Sequence, residues 1–476
     1  MNALSMYNIE KVDIEQKIQQ KSEMLLYAMV FTLVFEGFLR KLVPPLGTLI
    51  FFAKDILCVV GLYYVNKTLL AGSSFTIFEK WKTSVLIFIP SILFTAIIDP
   101  ILAIFGLKQY LLYMVVGVLM PVAFPAKKIE SFKKLVLFVT TLILPTTLVA
   151  VLQNSLPATH WLNVSVDGNS LEGFAAAGYL RVSSTFSFTG QYSWFLNLVT
   201  PFLAAIVFWP KQKGVVVKRA WLLKIYCGVA AVSFMIGIFI TGGRSAVLGC
   251  GVSIVLGLIL SALKSPGKIV VSALVGLLVF AALYGGIRSV KPEFFAAYEA
   301  RSSKQDDDST QSDEIKNRVG GSFLGWTKWV FDQDIASIVF GNGLGVISNG
   351  SEKISEYAAY RKDNIGKIDI EGDLPTTFFE GGMYLAIVWN SLRLWAIWYC
   401  FKVWRSVKQK DWAVLLSFLL GYVIMNACLG QIGKQPPLNM WLWLTVGAVA
   451  VINNYIKYLD STTLEVNSSE IEADAV

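Results

Sequence analysis

Three groups of residues in this chain have types and spacings suited to chemistry. The first is Arg244, in the turn Thr241-Gly242-Gly243-Arg244-Ser245 between two long apolar stretches. An arginine near a membrane core costs about 2.5–3.5 kcal/mol on insertion scales, so its presence asks for a reason. Glycines beside it leave the backbone open to close approach by a ligand. Phosphate recognition explains both features, because a guanidinium grips phosphate in a bidentate fork. The second group is the polar insertion from Arg288 to Thr376, which holds Gln305-Asp306-Asp307-Asp308, Asn317-Arg318, Gly341-Asn342-Gly343-Leu344-Gly345 and Glu371-Gly372-Asp373-Leu374-Pro375. A loop of this size between membrane spans can hold a reaction outside the bilayer. The third group is the charge scattered through apolar segments: Glu36, Arg40, Lys41, Lys54, Asp55, Lys108 and Arg393.

The elements that must position these residues are membrane helices. Of 476 residues, 55% are hydrophobic and only 16% charged, with 14 Trp and 31 Phe. A soluble domain carries roughly a quarter charged residues, so the chain reads as a polytopic membrane protein. The five cysteines (Cys58, Cys227, Cys250, Cys400, Cys428) fall in or beside apolar segments without a CxxC spacing, and read as small membrane-core residues. His160 is the single histidine, which excludes a histidine-based metal cluster. The net charge of +8 reflects cations holding loops on the cytoplasmic side, and no nucleic-acid partner is expected.

A span needs roughly 20 apolar residues. Candidates lie near 24–40, 46–66, 83–99, 102–123, 134–153, 190–209, 222–241, 244–263, 268–287, 377–401, 411–430 and 437–457, which predicts twelve helices. Residues 1–22 read as a cytoplasmic tail or short surface helix, with no cleaved signal peptide. Residues 23–287 hold spans one to nine, 288–376 form an outer domain, 377–459 hold spans ten to twelve, and the acidic tail 460–476 is expected to be disordered. Lysines and arginines alternate with the span boundaries: Lys67, Lys80, Lys127, Lys211, Lys264 and Lys402 mark inside segments, while the outside turns hold few. That pattern puts both termini in the cytoplasm and the long insertion outside.

Each charged group also has an ordinary structural reading. Glu36 and Arg40 form an i,i+4 pair, and Lys54 and Asp55 neutralise each other within the bundle. Arg40, Lys41 and Lys108 snorkel to headgroups. Arg393, mid-span, pairs with a carboxylate or touches substrate. Asp306, Asp307 and Asp308 are a solvated run or a weak cation site. Gly341-x-Gly-x-Gly345 follows no predicted strand and is not a nucleotide loop. His160 is a surface residue of the loop after span five. Trp161, Trp326 and Trp329 either belong to the interfacial belt or stack on sugar rings.

The Arg244 turn, continued by Ala246-Val247-Leu248-Gly249, resembles a signature of the O-antigen ligase and O-antigen polymerase superfamily. The resemblance runs over roughly 180–400. It continues through one more span, a long outer loop with Arg318 early in it, the aromatic pair Trp326 and Trp329, the Phe340-Gly341-Asn342-Gly343-Leu344-Gly345 turn, and Glu380-Gly381-Gly382 opening the next span. Upstream, Phe35-Glu36-Gly37-Phe38-Leu39-Arg40-Lys41 and Phe52-Ala53-Lys54-Asp55 look like a branch found among exopolysaccharide proteins.

The resemblance implies an all-α glycosyltransferase of the bacterial plasma membrane working outside the bilayer. Its donor would be an oligosaccharide on undecaprenyl pyrophosphate and its acceptor a growing glycan, with no nucleotide sugar, cofactor or metal. Chain-length regulator and flippase proteins are further partners implied by it. Arg244 and Arg318 match the family's two arginines, which neutralise the leaving pyrophosphate. Arg181, in Leu180-Arg181-Val182-Ser183-Ser184-Thr185-Phe186, is a third outward arginine that can face the same cavity. The family often carries a His about nine residues before the Glu-x-Gly. Here that position is Glu371, so Glu371 or Asp373 is expected to serve as base. The missing His and the upstream residues favour a polymerase over a ligase. A lipid-linked oligosaccharide flippase is the reading from another class, and the absence of an internal repeat argues against it.

Overall fold

The computed structural model describes residues 3–70, 75–166, 178–210, 220–303, 320–328, 330–365 and 372–474, with the single positions 168, 175 and 370. The fold is all-α: 85% of it is helix, with no strand among the described residues. The helices are α1 (Ala3–Leu42), α2 (Gly47–Leu70), α3 (Thr76–Ile98), α4 (Pro100–Leu111), α5 (Val115–Ala123), α6 (Ile129–Thr141), α7 (Ile143–Ser155), α8 (Thr189–Val207), α9 (Ala220–Ile240), α10 (Arg244–Lys264) and α11 (Pro266–Val290). The insertion contributes α12 (Glu293–Ser303), α13 (Ile335–Phe340) and α14 (Glu356–Ile365), and α15 (Asp373–Ser406), α16 (Lys410–Leu429) and α17 (Pro436–Asp474) complete the chain. The acidic tail from Asp460, expected to be disordered, instead prolongs α17 as helix, and the amino-terminal segment is continuous with α1 from Ala3.

Among the described residues, nine helical segments are long and apolar enough to cross a membrane. Two of them, Pro100–Ala123 and Ala126–Ser155, are built from the consecutive pairs α4/α5 and α6/α7. The expected spans that miss this threshold are α8, α15 and α17, and their position explains it. They lie inside the bundle, where protein satisfies polar groups: Cys250 Sγ donates to Asn197 Oδ1 at 3.0 Å, and Asn439 Nδ2 to the Gln109 carbonyl at 2.8 Å. Trp389, Trp441 and Trp443 are fully buried there. By contrast α11 has only 6% of its apolar window buried, and Leu274, Leu277 and Leu278 point outward. Polar residues gather between helices and aliphatic ones face the surroundings, as membrane-protein packing requires.

The turns expected outside meet at one end of this bundle. Lys41 Nζ at the end of α1 donates to the Leu162 carbonyl beyond α7, at 2.8 Å. Asp99, between α3 and α4, accepts from Ser355 of the insertion at 2.5 Å. The Gly433 N–H, between α16 and α17, donates to Asp373 at 2.7 Å. At the other end Lys264 Nζ bonds the carbonyls of Arg405 and Val407 at 3.1 and 3.3 Å, joining the α10/α11 and α15/α16 turns.

α15 is two helices joined by a reversal. In a straight helix twenty residues span about 30 Å, yet Arg393 Nη1 lies 2.9 Å from Asp373 Oδ2. The backbone turns at Gly381 (φ −135°, ψ 17°) and Gly382 (φ 61°, ψ −160°), the latter a conformation that glycine adopts without strain. The second of the two helices therefore starts beyond Gly382 rather than at Thr377, and Asp373–Glu380 folds back into the end of the bundle.

Candidate functional site

The Arg244 turn is built by its neighbours. Thr241 Oγ1 accepts from the Gly243 N–H at 3.1 Å and donates to the Ile238 carbonyl at 3.1 Å, which closes α9 and lets α10 begin at Arg244. Gly242 has φ +59°, and a Cβ there would stand 2.9 Å from Ala297 Cβ and 3.5 Å from Arg181 Cγ. Two of the arginines expected to bind pyrophosphate thus converge on one turn: Arg244 opens the helix after it, and Arg181 lies against it. α12 covers the same turn, with Phe295 and Tyr298 packed on Phe239 at ring distances of 4.7 and 5.3 Å. Both arginines are half-buried, and Ser245 beside them is exposed.

The segment that carries Arg181 is held rigidly. Val182 to Phe186 are all buried. Gln153 of α7 accepts from the Ser184 N–H at 2.7 Å, and Ser184 Oγ donates to the Thr146 carbonyl at 2.6 Å. Ser184 has φ 55°, a left-handed conformation that persists in a non-glycine residue only where its surroundings fix it. Thr185 then bonds α1 in both directions, its hydroxyl to the Val34 carbonyl at 2.5 Å and its carbonyl to the Phe38 N–H at 2.8 Å. Gly37 makes that approach possible, since a Cβ there would fall 2.1 Å from the Phe186 carbonyl carbon. The sequence offered only a hint of this in the polar run Ser183-Ser184-Thr185, and Gln153 was not anticipated.

The insertion docks through its glycine turn. The reversal in α15 frees the carbonyls of Phe379 and Glu380 from helical bonding, and they accept from the N–H groups of Asn342 and Gly343, each at 2.9 Å. A Cβ on Gly341 would lie 2.5 Å from the Glu380 carbonyl carbon, and one on Gly382 2.4 Å from Val339 backbone. The glycine turn and the Glu380-Gly381-Gly382 stretch are therefore two halves of one joint. Glu380, fully buried, completes it by accepting from Tyr110 Oη at 2.6 Å and from the Ile347 N–H at 3.1 Å. Thr95 of α3 accepts from the Leu344 N–H at 2.9 Å, and Gly345 seats against the backbone of Gly106. Tyr110 and Thr95 are polar residues inside apolar spans, and that contrast was the available signal.

Several expected residues find different work. Asp373 is buried, and both its oxygens are taken: Oδ2 accepts from Arg393 at 2.9 Å and Trp389 Nε1 at 2.6 Å, and Oδ1 from the Gly433 N–H at 2.7 Å. A carboxylate so enclosed offers nothing to an incoming hydroxyl, so Asp373 is a staple rather than a base. Arg393 is correspondingly its partner. Lys54 and Asp55 do not neutralise each other: Lys54 Nζ binds Glu36 at 3.0 Å, and Asp55 binds Lys108 at 2.9 Å and Tyr113 Oη at 2.6 Å. Arg40 does pair with Glu36, at 3.4 Å. Trp326 stacks face to face on Phe378 at 4.0 Å, which occupies one of its faces. His160 Nδ1 accepts from the Leu162 N–H at 3.3 Å as a local cap. Arg318, Glu371, Trp329 and Asp306, Asp307 and Asp308 lie outside the described residues.

With this geometry in hand, comparison with known proteins adds no family. No family model matches the chain, and neither does any curated protein. What the arrangement can do therefore rests on its own chemistry. Two arginines held at one turn, beneath the first helix of a polar insertion, suit a ligand carrying concentrated negative charge on phosphoryl oxygens.

Proposed function

We propose that this protein is a glycosyltransferase of the bacterial plasma membrane that joins lipid-linked oligosaccharide units into a surface polysaccharide. The observation that carries the reading is the placing of Arg181 against the Gly242 turn and of Arg244 at its end, under α12. In this reading the chain crosses the bilayer twelve times with both termini in the cytoplasm. The central helices α8, α15 and α17 then cross as well as the nine apolar segments, and the insertion lies outside. The resemblance to the O-antigen polymerase and ligase superfamily supports the same substrate class, glycans on undecaprenyl pyrophosphate.

The transfer is balanced simply. An acceptor hydroxyl oxygen attacks the anomeric carbon as the bond from that carbon to the pyrophosphate oxygen breaks. The bonding electrons leave with the pyrophosphate, and the hydroxyl proton passes to a base, for which we propose Glu371. Arg181, Arg244 and Arg318 stabilise the departing charge, a contribution that fixed donors make without reorganising.

The test is mass spectrometry of undecaprenyl-linked intermediates, with their sidedness, in cells carrying Arg244→Ala or Arg181→Ala. Single repeat units accumulating on the outer leaflet are the expected result. Finished chains retained on the lipid would reassign the protein as a ligase, and single units trapped on the inner leaflet would make it a flippase.

A further inference from the structure

A second cationic centre lies at the same end of the bundle, between α1, α2 and α4. Three cations surround the ring of Phe51: Lys54 Nζ at 3.9 Å, Arg40 Cζ at 5.2 Å and Lys108 Nζ at 5.6 Å from its centre. Among the described residues two carboxylates answer them, Glu36 and Asp55. Lys54 is sealed in, but the side chains of Arg40 and Lys108 keep 18% and 13% of their surface open. Arg40 Nε is buried without a hydrogen-bond partner. One positive charge in excess beside apolar spans is unfavourable, and an anion reaching Arg40 and Lys108 would relieve it.

The surroundings say what kind of anion. Lys108 sits over the rings of Phe52 and Phe105, at 5.1 and 4.6 Å. From there a stripe of exposed apolar residues runs down α2: Leu49, Phe52, Ile56, Val59 and Tyr63. Their spacing of three and four residues places them on one helix face. A charged head at Arg40 and Lys108 would thus continue into a long apolar tail along α2. The two centres are also physically joined. Arg181 lies at the Gly242 turn, and six residues later Ser187 Oγ donates to Glu36 at 3.3 Å.

We propose that Arg40, Lys54 and Lys108 form a docking site for a second lipid-linked pyrophosphate, the one bearing the acceptor glycan. This rests on the polymerase reading, in which each extension joins two lipid-linked chains that must be held at once. Arg181 and Arg244 take the donor, the α1/α2/α4 centre takes the acceptor, and the buried Val182–Phe186 segment fixes the distance between them. Arg40 and Lys108 touch the headgroup, while Lys54 and Glu36 hold Arg40 in place.

The experiment is native mass spectrometry of the purified full chain in detergent, titrated with undecaprenyl pyrophosphate. Wild type should bind two molecules, Arg244→Ala one, and the Arg40→Gln/Lys108→Gln double variant one. Lys108→Arg should restore the second, and Lys108→Gln alone, changed at a partly open side chain, should weaken it about tenfold should the double variant not fold. Two molecules still bound to the double variant, or one to wild type that Arg244→Ala abolishes, would overturn the inference while leaving the donor site standing. Retention of both by Arg244→Ala with loss of one in the double variant would instead sink the donor assignment alone. Displacement of the second molecule by phosphatidylglycerol at equal concentration would show a general anionic-lipid site, and displacement by inorganic pyrophosphate a site for the free anion; either would refute the lipid-linked acceptor.

Discussion

The assignment of Asp373 as a staple, and not as a base, can be tested through its partner. The Arg393–Asp373 pair is 2.9 Å long, with side chains 4% and 2% exposed. Removing one member of such a pair leaves a buried charge unanswered, which typically costs about 3–5 kcal/mol. Asp373→Ala also strands the Trp389 and Gly433 N–H groups, so the upper part of that range is expected. Unfolding entropy of about 2.1 cal/mol/K per residue gives roughly 1 kcal/mol per degree for a chain of this length, so Tm should fall by about 3–5 °C. Asp373→Asn should lose nearly as much, because the amide nitrogen would face a donor in either orientation, the Gly433 N–H at one position or Arg393 and Trp389 at the other. The double variant Asp373→Leu/Arg393→Leu should regain the part of the loss that comes from the unanswered Arg393 charge, since apolar replacement of a buried pair is often neutral, while the Trp389 and Gly433 N–H groups stay stranded. The assay pairs tryptophan-fluorescence melting in detergent with polysaccharide formation in cells. A staple predicts that the double variant is stable and active. A double variant that regains this stability but makes no product would refute the reasoning and return Asp373 to the chemistry.

Three further outcomes follow from the docking of the insertion. Gly382→Ala places a Cβ 2.4 Å from Val339 backbone at a positive φ, so the joint must open; activity should be lost, and hydrogen exchange over 335–347 should rise sharply. Thr95→Val removes the acceptor of the buried Leu344 N–H, which should cost about 1–3 kcal/mol in the same melting assay. Glu352 pairs with Lys362 across the start of α14. Partial burial opposes its ionisation, but the bond and charge of Lys362 and the backbone N–H groups of Glu352 and Gly350 together outweigh this and hold its carboxyl below the usual range. Its contribution is therefore fully present above the ordinary glutamate pKa of about 4.3 and is lost as pH falls through the lower folded value. Exchange rates at α14 should rise over that acid window in wild type, and Glu352→Gln should remove the pH dependence.

What the sequence made legible was mostly what depends on neighbours along the chain. Apolar runs located the helices, and the lysine and arginine pattern grouped the turns that the structure brings to one end. The Glu36–Arg40 pair was legible for the same reason, being one helical turn apart. Lys54 and Asp55 were misjudged because adjacent helical residues point about 100° apart, which sends one side chain to α1 and the other to α4. The three helices that fall below the apolar threshold show a related effect. Their polar residues are met by protein, and a hydropathy window has no means of seeing the partner.

The reversal at Gly381-Gly382 is the most instructive of these cases. Read as letters, Asp373 sits in a solvated loop and Arg393 deep in a span, twenty residues and about 30 Å apart if the helix were straight. Two consecutive glycines inside a helical pattern usually argue only for weakness. Here the second adopts a left-handed φ, the chain folds back, and the two charges meet. The same reversal exposes the carbonyls of Phe379 and Glu380, which take up the glycine turn of the insertion. One backbone event thus decides that Asp373 is structural, where the insertion docks, and where the second half of α15 begins. Each half of that joint was visible in the sequence as a glycine-rich stretch, forty residues from the other. Only their packing, glycine backbone on glycine backbone, makes them a single device for holding the polar insertion over the end of the bundle where Arg181 and Arg244 flank the Gly242 turn.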